Sequence, residues 1–178
     1  MSITVTISQQ AMYRAGLMAV KMIRDRTLAG KDVDGQSFKP YSTQPFARPA
    51  GGLTKTARAN LKGLTKFFRR NGSLWMLVEG GYKAFKDAVY GDSSTVNLQA
   101  EGHLLRSLTV LEPVDTATGV VRVGFTRSEE AEKAYWHNVS GAGKSRAIRK
   151  FMGLTEAEKK IIAKDIADNG GIIITVRT

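Results

Sequence analysis

The chain lacks cysteine and contains only two histidines among its 178 residues. Without cysteine, disulfide bonds and thiolate metal ligands are excluded. His103 and His137 are the only imidazoles, whereas a zinc site usually takes several of its ligands from cysteine and histidine. We therefore expect neither a metal site nor a bound cofactor.

The chain also lacks a long hydrophobic run. No apolar stretch approaches the roughly 20 residues that a membrane-spanning helix needs. The first ten residues alternate between apolar and polar and have no basic segment of the kind that begins a signal peptide. We expect no membrane partner, and we expect the protein to be made and assembled in a cytoplasm.

Acidic residues are scarce, and the formal net charge is +11 with an isoelectric point of about 10.0. From Gln36 to Val78 there is no acidic residue at all. The same stretch contains eight basic residues: Lys39, Arg48, Lys55, Arg58, Lys62, Lys66, Arg69 and Arg70. A second basic cluster consists of Lys144, Arg146, Arg149 and Lys150. Such clustering predicts an anionic partner, for which DNA, an acidic protein face and a membrane surface all qualify.

The first half of the chain has clear periodicities. Residues 3–7 alternate as a half-buried strand does, and residues 9–28 repeat apolar positions at helical spacing. Three prolines predict a basic loop or extended segment over about 38–52. Residues 53–70 then place leucines on one side and Lys55, Arg58, Lys62, Lys66 and Arg69 on the other, which predicts a basic amphipathic helix.

The second half reads as further short elements. Residues 74–78 (LWMLV) are either a buried strand or the core of a helix. Residues 104–111 and 120–125 predict a β-hairpin, Ser128 is the expected N-cap of a helix, and Thr155 with Glu158 forms a capping box for another. Residues 172–176 favour a final strand, which either pairs with the first strand or leaves one of the two as an edge for a neighbour.

These elements predict one α+β domain over residues 1–178. We expect a small antiparallel sheet with three to four helices packed mainly on one face. The order of elements has no regular alternation of strand and helix, which argues against a parallel sheet.

No motif predicts catalysis. The segment Gly141-Ala142-Gly143-Lys144-Ser145 is similar to a nucleotide-binding loop, but Asn138 stands where that loop requires its first glycine. His137 has no defined triad partner, and the paired glutamates at helix starts are explained by the helix dipole. We expect the protein not to be an enzyme.

Four segments together resemble the tail-completion, or virion-morphogenesis, family of tailed bacteriophages. They are the turn at residues 34–42 (DGQSFKPYS), the hairpin entry at 102–108 (GHLLRSL), the returning strand at 121–125 (VRVGF) and the run at 134–155 (AYWHNVSGAGKSRAIRKFMGLT). Their order and spacing fit over most of the chain, and residues 45–100 match least. The resemblance implies a structural virion protein of the neck, located in the virion after assembly in the host cytoplasm.

The resemblance also implies partners. Subunits would form a homo-oligomeric ring, for which we favour a hexamer over a dodecamer, and would join tail to DNA-filled head alongside other neck and tail proteins. Genomic DNA in the lumen is a further partner. The residues expected to contact DNA or an acidic partner are Lys55, Arg58, Lys62, Lys66, Arg69, Arg70, Lys144, Arg146, Arg149 and Lys150. The residues expected at subunit interfaces are Tyr135, Trp136, His137, Phe151 and Met152.

A second hypothesis needs only the charge pattern. The chain would be a sequence-neutral DNA-binding protein that acts outside any particle, holding phosphates through its lysines and arginines. Trp75, Tyr135, Trp136 and Phe151 would then be available to stack on bases, although large aromatics are more often core or interface anchors. Within the first hypothesis, the tail terminator, the tail completion factor and the head-side connector remain alternatives.

Overall fold

The computed structural model describes residues 2–91, 95–99, 102–115, 119–143, 146–169 and 172–177. The chain divides into two compact units. The larger unit contains residues 1–38 and 97–178, and the smaller unit contains residues 39–96.

The described residues form seven strands, six α-helices and one π-helical turn. The strands are β1 Ser2–Ile7, β2 Phe46–Pro49, β3 Thr65–Arg70, β4 Ser73–Val78, β5 Leu108–Asp115, β6 Val120–Phe125 and β7 Ile172–Arg177. The helices are α1 Gln9–Leu28, α2 Lys55–Asn60, α3 Gly81–Tyr90, α4 His103–Arg106, α5 Ser128–Tyr135 and α6 Glu156–Asp168, with the π-turn at Trp136–Ser140.

The α+β class is confirmed. All strand pairs in the described part of the chain are antiparallel, but the strands form three small sheets and not one. These are the pair β1–β7, the three-stranded sheet β2–β4–β3, and the hairpin β5–β6.

In the larger unit, α1 packs against the β5–β6 hairpin and against α6. Ala15, Ala19 and Ile162 are buried where the two helices meet. Gly16 permits the close approach to the hairpin, because a Cβ atom there would lie 2.7 Å from Val110 Cγ2 and 2.9 Å from Val121 Cγ2. The predicted helix at residues 9–28 is confirmed at both ends, with the Ser8 hydroxyl accepting a hydrogen bond from the Ala11 amide.

Two arginines on α1 tie the following segments to the helix. Arg24 donates to the backbone carbonyls of Leu105 and Arg106 at the end of the short helix α4 and to that of Leu108 at the start of β5. Arg26 donates to the carbonyls of Phe151 and Gly153 and forms an ion pair with Glu158, near the start of α6.

The first and last strands pair with each other, as one of the two alternatives predicted. Ser2 lies opposite Arg177 and Ile7 opposite Ile172. Within the described residues no third strand joins this ribbon, so each strand also keeps an outer edge of backbone N–H and C=O groups.

In the smaller unit, α3 lies against β4 of the β2–β4–β3 sheet, and α2 packs against α3. Met76, Val78, Leu61, Phe85 and Ala50 form its buried core. Segment 74–78 is therefore a strand and not the core of a helix. The predicted loop at 38–52 contains the short edge strand β2, whose Pro49 stands at an edge where its missing N–H costs no ladder bond.

The predicted basic helix at 53–70 is wrong. Helix α2 ends at Asn60, Gly63 adopts φ +86°, and Thr65–Arg70 is the strand β3. Asn71 and Gly72 have φ of +47° and +74°, as the two central residues of a tight hairpin turn require. The Asn-Gly pair thus joins two strands, where the helical interpretation had it end a helix.

Helix caps were predicted with mixed success. The capping box is confirmed, because the Thr155 hydroxyl accepts from the Glu158 amide and the Glu158 carboxylate accepts from the Thr155 amide. Ser128 is not an N-cap but the first residue of α5. Arg127 occupies the cap position and makes no side-chain cap bond.

Candidate functional site

The segment from Tyr135 to Gly153 is held in place by bonds from two sides. At its start, α5 widens into the π-turn, which is a local feature often found at functional positions. The Asn138 side-chain oxygen accepts from the Met152 amide at 3.0 Å, and the His137 carbonyl accepts from the Arg149 amide at 2.7 Å. The two ends of the segment are therefore fastened together.

The same segment is also fastened to α1 and to the turn that follows it. The Val33 amide donates to the Lys150 carbonyl at 2.8 Å. The Arg26 guanidinium donates to the carbonyls of Phe151 at 2.9 Å and Gly153 at 2.8 Å. The Arg26–Glu158 pair is largely buried, so these bonds are made with little competition from water. The backbone at both ends of the segment, near residues 137–138 and 149–153, is thus held by several hydrogen bonds.

Four large apolar side chains close to these fastened ends are exposed to solvent. Tyr135, Trp136, Val139 and Ile148 are between 47% and 54% exposed. We call them the anchored apolar surface. The Tyr135 and Trp136 rings meet edge to face at 6.0 Å, and the Trp136 indole N–H donates to Glu132 at 3.3 Å. Exposed aromatics on a rigid scaffold are typical of protein interfaces.

The structure corrects one of the predicted interface residues. Phe151 is 0% exposed, so its ring is part of the core of the larger unit and not available to a neighbouring subunit or a base. Tyr135 and Trp136 are exposed, whereas His137 and Met152 are only partly so.

His137 is predominantly neutral at ordinary pH. Burial, reinforced by the positive charge of Arg149, lowers the pKa of His137 to about 4. Its buried Nδ1 atom has no hydrogen-bond partner in the described part of the chain. A histidine with so low a pKa and no oriented partner is poorly suited to act as a general base near neutral pH.

Among the described residues of the basic cluster at 144–150, Arg149 is buried while Arg146 and Lys150 are exposed. Lys144 lies outside the described residues. Arg149 is only 6% exposed, which corrects its assignment as a contact for DNA or an acidic partner. Arg146 is exposed, and Lys150 is exposed with Asp34 at 3.9 Å.

The six residues of the smaller unit predicted as contacts for DNA or an acidic partner are exposed but do not share one face. Lys55 and Arg58 lie on α2, Lys62 lies in the following turn, and the other three lie on β3. Because side chains alternate along a strand, Lys66 and Arg70 belong to one face of the sheet and Arg69 to the other. The single basic face expected from a helix is therefore wrong.

Most of these cations lack a carboxylate partner. A hydrogen bond from Glu79 and the charge of that carboxylate raise the pKa of Lys66. The other five form no ion pair with any carboxylate in the described ranges: Lys55, Arg58, Lys62, Arg69 and Arg70. Arg70 instead lies over the Trp75 ring at 5.1 Å.

An apolar groove lies between α2 and the β3–β4 hairpin. It has a volume of about 650 Å³, and we call it the hairpin groove. Its lining residues are Pro49, Ala50, Gly51, Leu53, Arg58, Leu61, Phe67, Ser73 and Leu74. Sequence reasoning missed it because it assigned Phe67 to a helix. The Asn71-Gly72 pair between two apolar runs was the signal for the hairpin.

Sequence reasoning also missed Arg24 and Arg26. Their partners are backbone carbonyls more than 80 residues away in the chain. Residue type and local spacing carry no signal for such bonds.

Comparison with known proteins gives no match to a family model, to a curated protein or to a solved structure. Among the described residues, no three or more His, Asp or Glu side chains come together as a metal site would require. In the same part of the chain, no helix has the length and apolar character needed to span a membrane.

Proposed function

We propose that the chain is a structural subunit of a phage neck, of the tail-completion type, that works by assembly into a ring and not by catalysis. The observation that carries the proposal is the anchored apolar surface. Because the backbone beneath these side chains is already hydrogen-bonded, a partner that covers them has to fix only their rotamers, which favours stable association.

The structural roles of the segments that resemble the phage family support the same proposal. In the run at 134–155, the Met152 amide donates to the Asn138 side chain, Tyr135 and Trp136 are exposed, and Phe151 is buried. Residues 102–108 lead through α4 into the β5–β6 hairpin. Asp34 to Gln36 form the turn after α1, in which the Asp32 carboxylate accepts hydrogen bonds from the backbone amides of Asp34 and Gln36. These roles are those of a scaffold.

The test is to replace Tyr135 and Trp136 together with serine. The wild-type chain should behave as an oligomer in light scattering, and the double variant should shift to the mass of a monomer. The loss should be on the order of 2 kcal/mol or more for each buried aromatic anchor. Ile161→Ser, which removes an apolar side chain of similar exposure from α6, is the matched control and should leave the oligomer intact. An oligomer that survives the double substitution would contradict the role of this surface.

The runner-up function, sequence-neutral DNA binding outside a particle, is favoured by the five cations of the smaller unit that lack carboxylate partners. It predicts that log K for arbitrary duplex DNA falls with log salt at a slope of about 0.9 for each neutralised phosphate. A salt titration of a labelled duplex measures this slope. An affinity that does not depend on salt would eliminate this alternative.

A further inference from the structure

We infer that the hairpin groove binds a segment of a partner protein in which an apolar side chain is flanked by carboxylates. The inference rests on the proposed function and extends it, because it gives the chemistry of a neighbouring protein in the assembly. It concerns the smaller unit alone.

The groove is a continuation of the core into solvent. Phe67 is the cross-strand partner of the fully buried Met76, and Arg69 is the partner of Leu74, so Phe67 and Leu74 lie on the face of the sheet that carries the buried core. Phe67 is nevertheless 55% exposed and Leu74 50%. The helices therefore stop short of the end of the hairpin and leave apolar surface for another chain to bury.

The shape of the groove favours a protein segment over a small molecule. Its volume of about 650 Å³ lies within the range of ligand sites, roughly 300–1,000 Å³. Small-molecule sites, however, enclose most of their ligand. Phe67 and Leu74, which form part of the groove wall, are themselves half exposed and would enclose little of a small ligand. A side chain that projects from a partner backbone could fill such an open groove while its backbone remains outside.

The positive charge of the smaller unit favours an acidic partner. Residues 39–96 contain ten Lys and Arg against three Asp and Glu, a formal charge of +7 out of the +11 of the whole chain. Arg58 lines the groove itself, and it has no carboxylate partner among the described residues. Carboxylates on either side of an inserted apolar residue would reach Arg58 and neighbouring cations and would relieve their mutual repulsion.

Two other occupants fit less well. A smaller unit from a second copy of this chain would bring a further +7 to the same place, so like charges would oppose the contact. Nucleic acid would satisfy the cations, but the groove walls are mainly aliphatic and have only the ring of Phe67 for a base to stack on. Aromatic stacking is better provided for on the opposite face, where Phe68 pairs across strands with Trp75.

Phe67 and Phe68 offer a matched pair for the experiment. They are adjacent, identical in type and both exposed, but they lie on opposite faces of β3. The probe is a synthetic peptide with one leucine between runs of glutamate, labelled for fluorescence anisotropy. Phe67→Ser should weaken binding by about tenfold or more, since it removes a large apolar contact. Phe68→Ser should change the affinity by less than about twofold, as surface substitutions away from the contact do.

Further variants separate packing from charge. Leu74→Ser should reproduce the loss caused by Phe67→Ser, and it keeps the test decisive if the latter does not fold. Arg58→Gln should weaken binding more than Lys83→Gln, which removes the same charge from α3 outside the groove. A glutamate peptide without leucine should bind more weakly than the probe.

Several results would overturn the inference. The first three are no binding of the peptide, equal effects of Phe67→Ser and Phe68→Ser, and equal affinity for the peptide without leucine. The fourth is a single-stranded oligonucleotide that binds more tightly than the peptide and whose binding is lost in Phe68→Ser. Light scattering on the same variants keeps the two proposals separate. A ring without peptide binding refutes only the groove assignment, whereas peptide binding by a permanent monomer refutes the ring.

Discussion

His137 is the residue whose environment makes the sharpest prediction. The histidine is neutral in the folded protein down to a pH of about 4 but titrates at its ordinary value of 6.5 when unfolded. Between these two values the unfolded state binds more protons, so acid favours unfolding. The contribution of His137 to stability is therefore constant above about pH 6.5 and falls as the pH drops towards 4.

This prediction is checked by urea unfolding at pH 7.5 and pH 5.0 for the wild type and for His137→Gln. The wild type should lose more stability on acidification than the variant, by at most about 2 kcal/mol over this interval. The difference between the two proteins removes the contribution of all other titrating groups. Equal losses in both would show that His137 is not the buried neutral group described.

Arg26 is the residue of α1 that holds the backbone at Phe151 and Gly153. Arg26→Gln should cost about 3 kcal/mol, because it removes a largely buried ion pair with Glu158 and the bonds to the Phe151 and Gly153 carbonyls. The control is Lys21→Gln on the same helix, whose pair with Asp25 is exposed and which should change stability by less than about 0.5 kcal/mol. The free energies of unfolding are measured in denaturant, and similar values for the two variants would be inconsistent with this role.

At the scale of elements, α1 depends on Gly16 for its position. Gly16→Ala should improve helix propensity by about 1 kcal/mol but should still destabilise the protein, because the new methyl group meets Val110 and Val121 at less than 3 Å. The net cost should shrink in a Val110→Ala background, which removes the nearest contact. Thermal unfolding of the four proteins of this cycle gives the coupling. A stabilising Gly16→Ala would mean that α1 sits further from the hairpin.

The helices also show which structural elements are predictable from the sequence and which are not. The helix at 9–28 and the capping box at Thr155 were predicted correctly because twenty residues of periodicity and a local pair of bonds are encoded in adjacent residues. The predicted helix at 53–70 was wrong because apolar residues at helical spacing continued across Gly63 into β3, where pairing with β4 decided the outcome. Local pattern is outweighed where a long-range partner supplies the hydrogen bonds.

For the candidate surfaces too, features encoded by residue type were predicted and features set by long-range contacts were not. Tyr135 and Trp136 were predicted as interface residues from their type, and their exposure is compatible with that role. The burial of Phe151 and Arg149 was not predictable, because neither residue type nor local spacing encodes contacts with α1, whose Arg26 donates to the Phe151 carbonyl from 125 residues away. The hairpin groove required the correct strand register before Phe67 and Leu74 were placed on one face.

At the scale of the whole molecule, charge is distributed unevenly between two units. The smaller unit has most of the positive charge and the hairpin groove, and the larger unit has the anchored apolar surface. This division suits an assembly subunit, in which one surface makes subunit contacts and another engages an acidic neighbour. It does not require any reacting group.

The mass of the wild-type protein in solution, measured by light scattering and compared with negative-stain images, tests the central claim most directly. A chain of 19.4 kDa that assembles through the anchored apolar surface should have the mass of a closed oligomer and appear as rings. A monomer at every protein concentration, with no rings in the images, would contradict it.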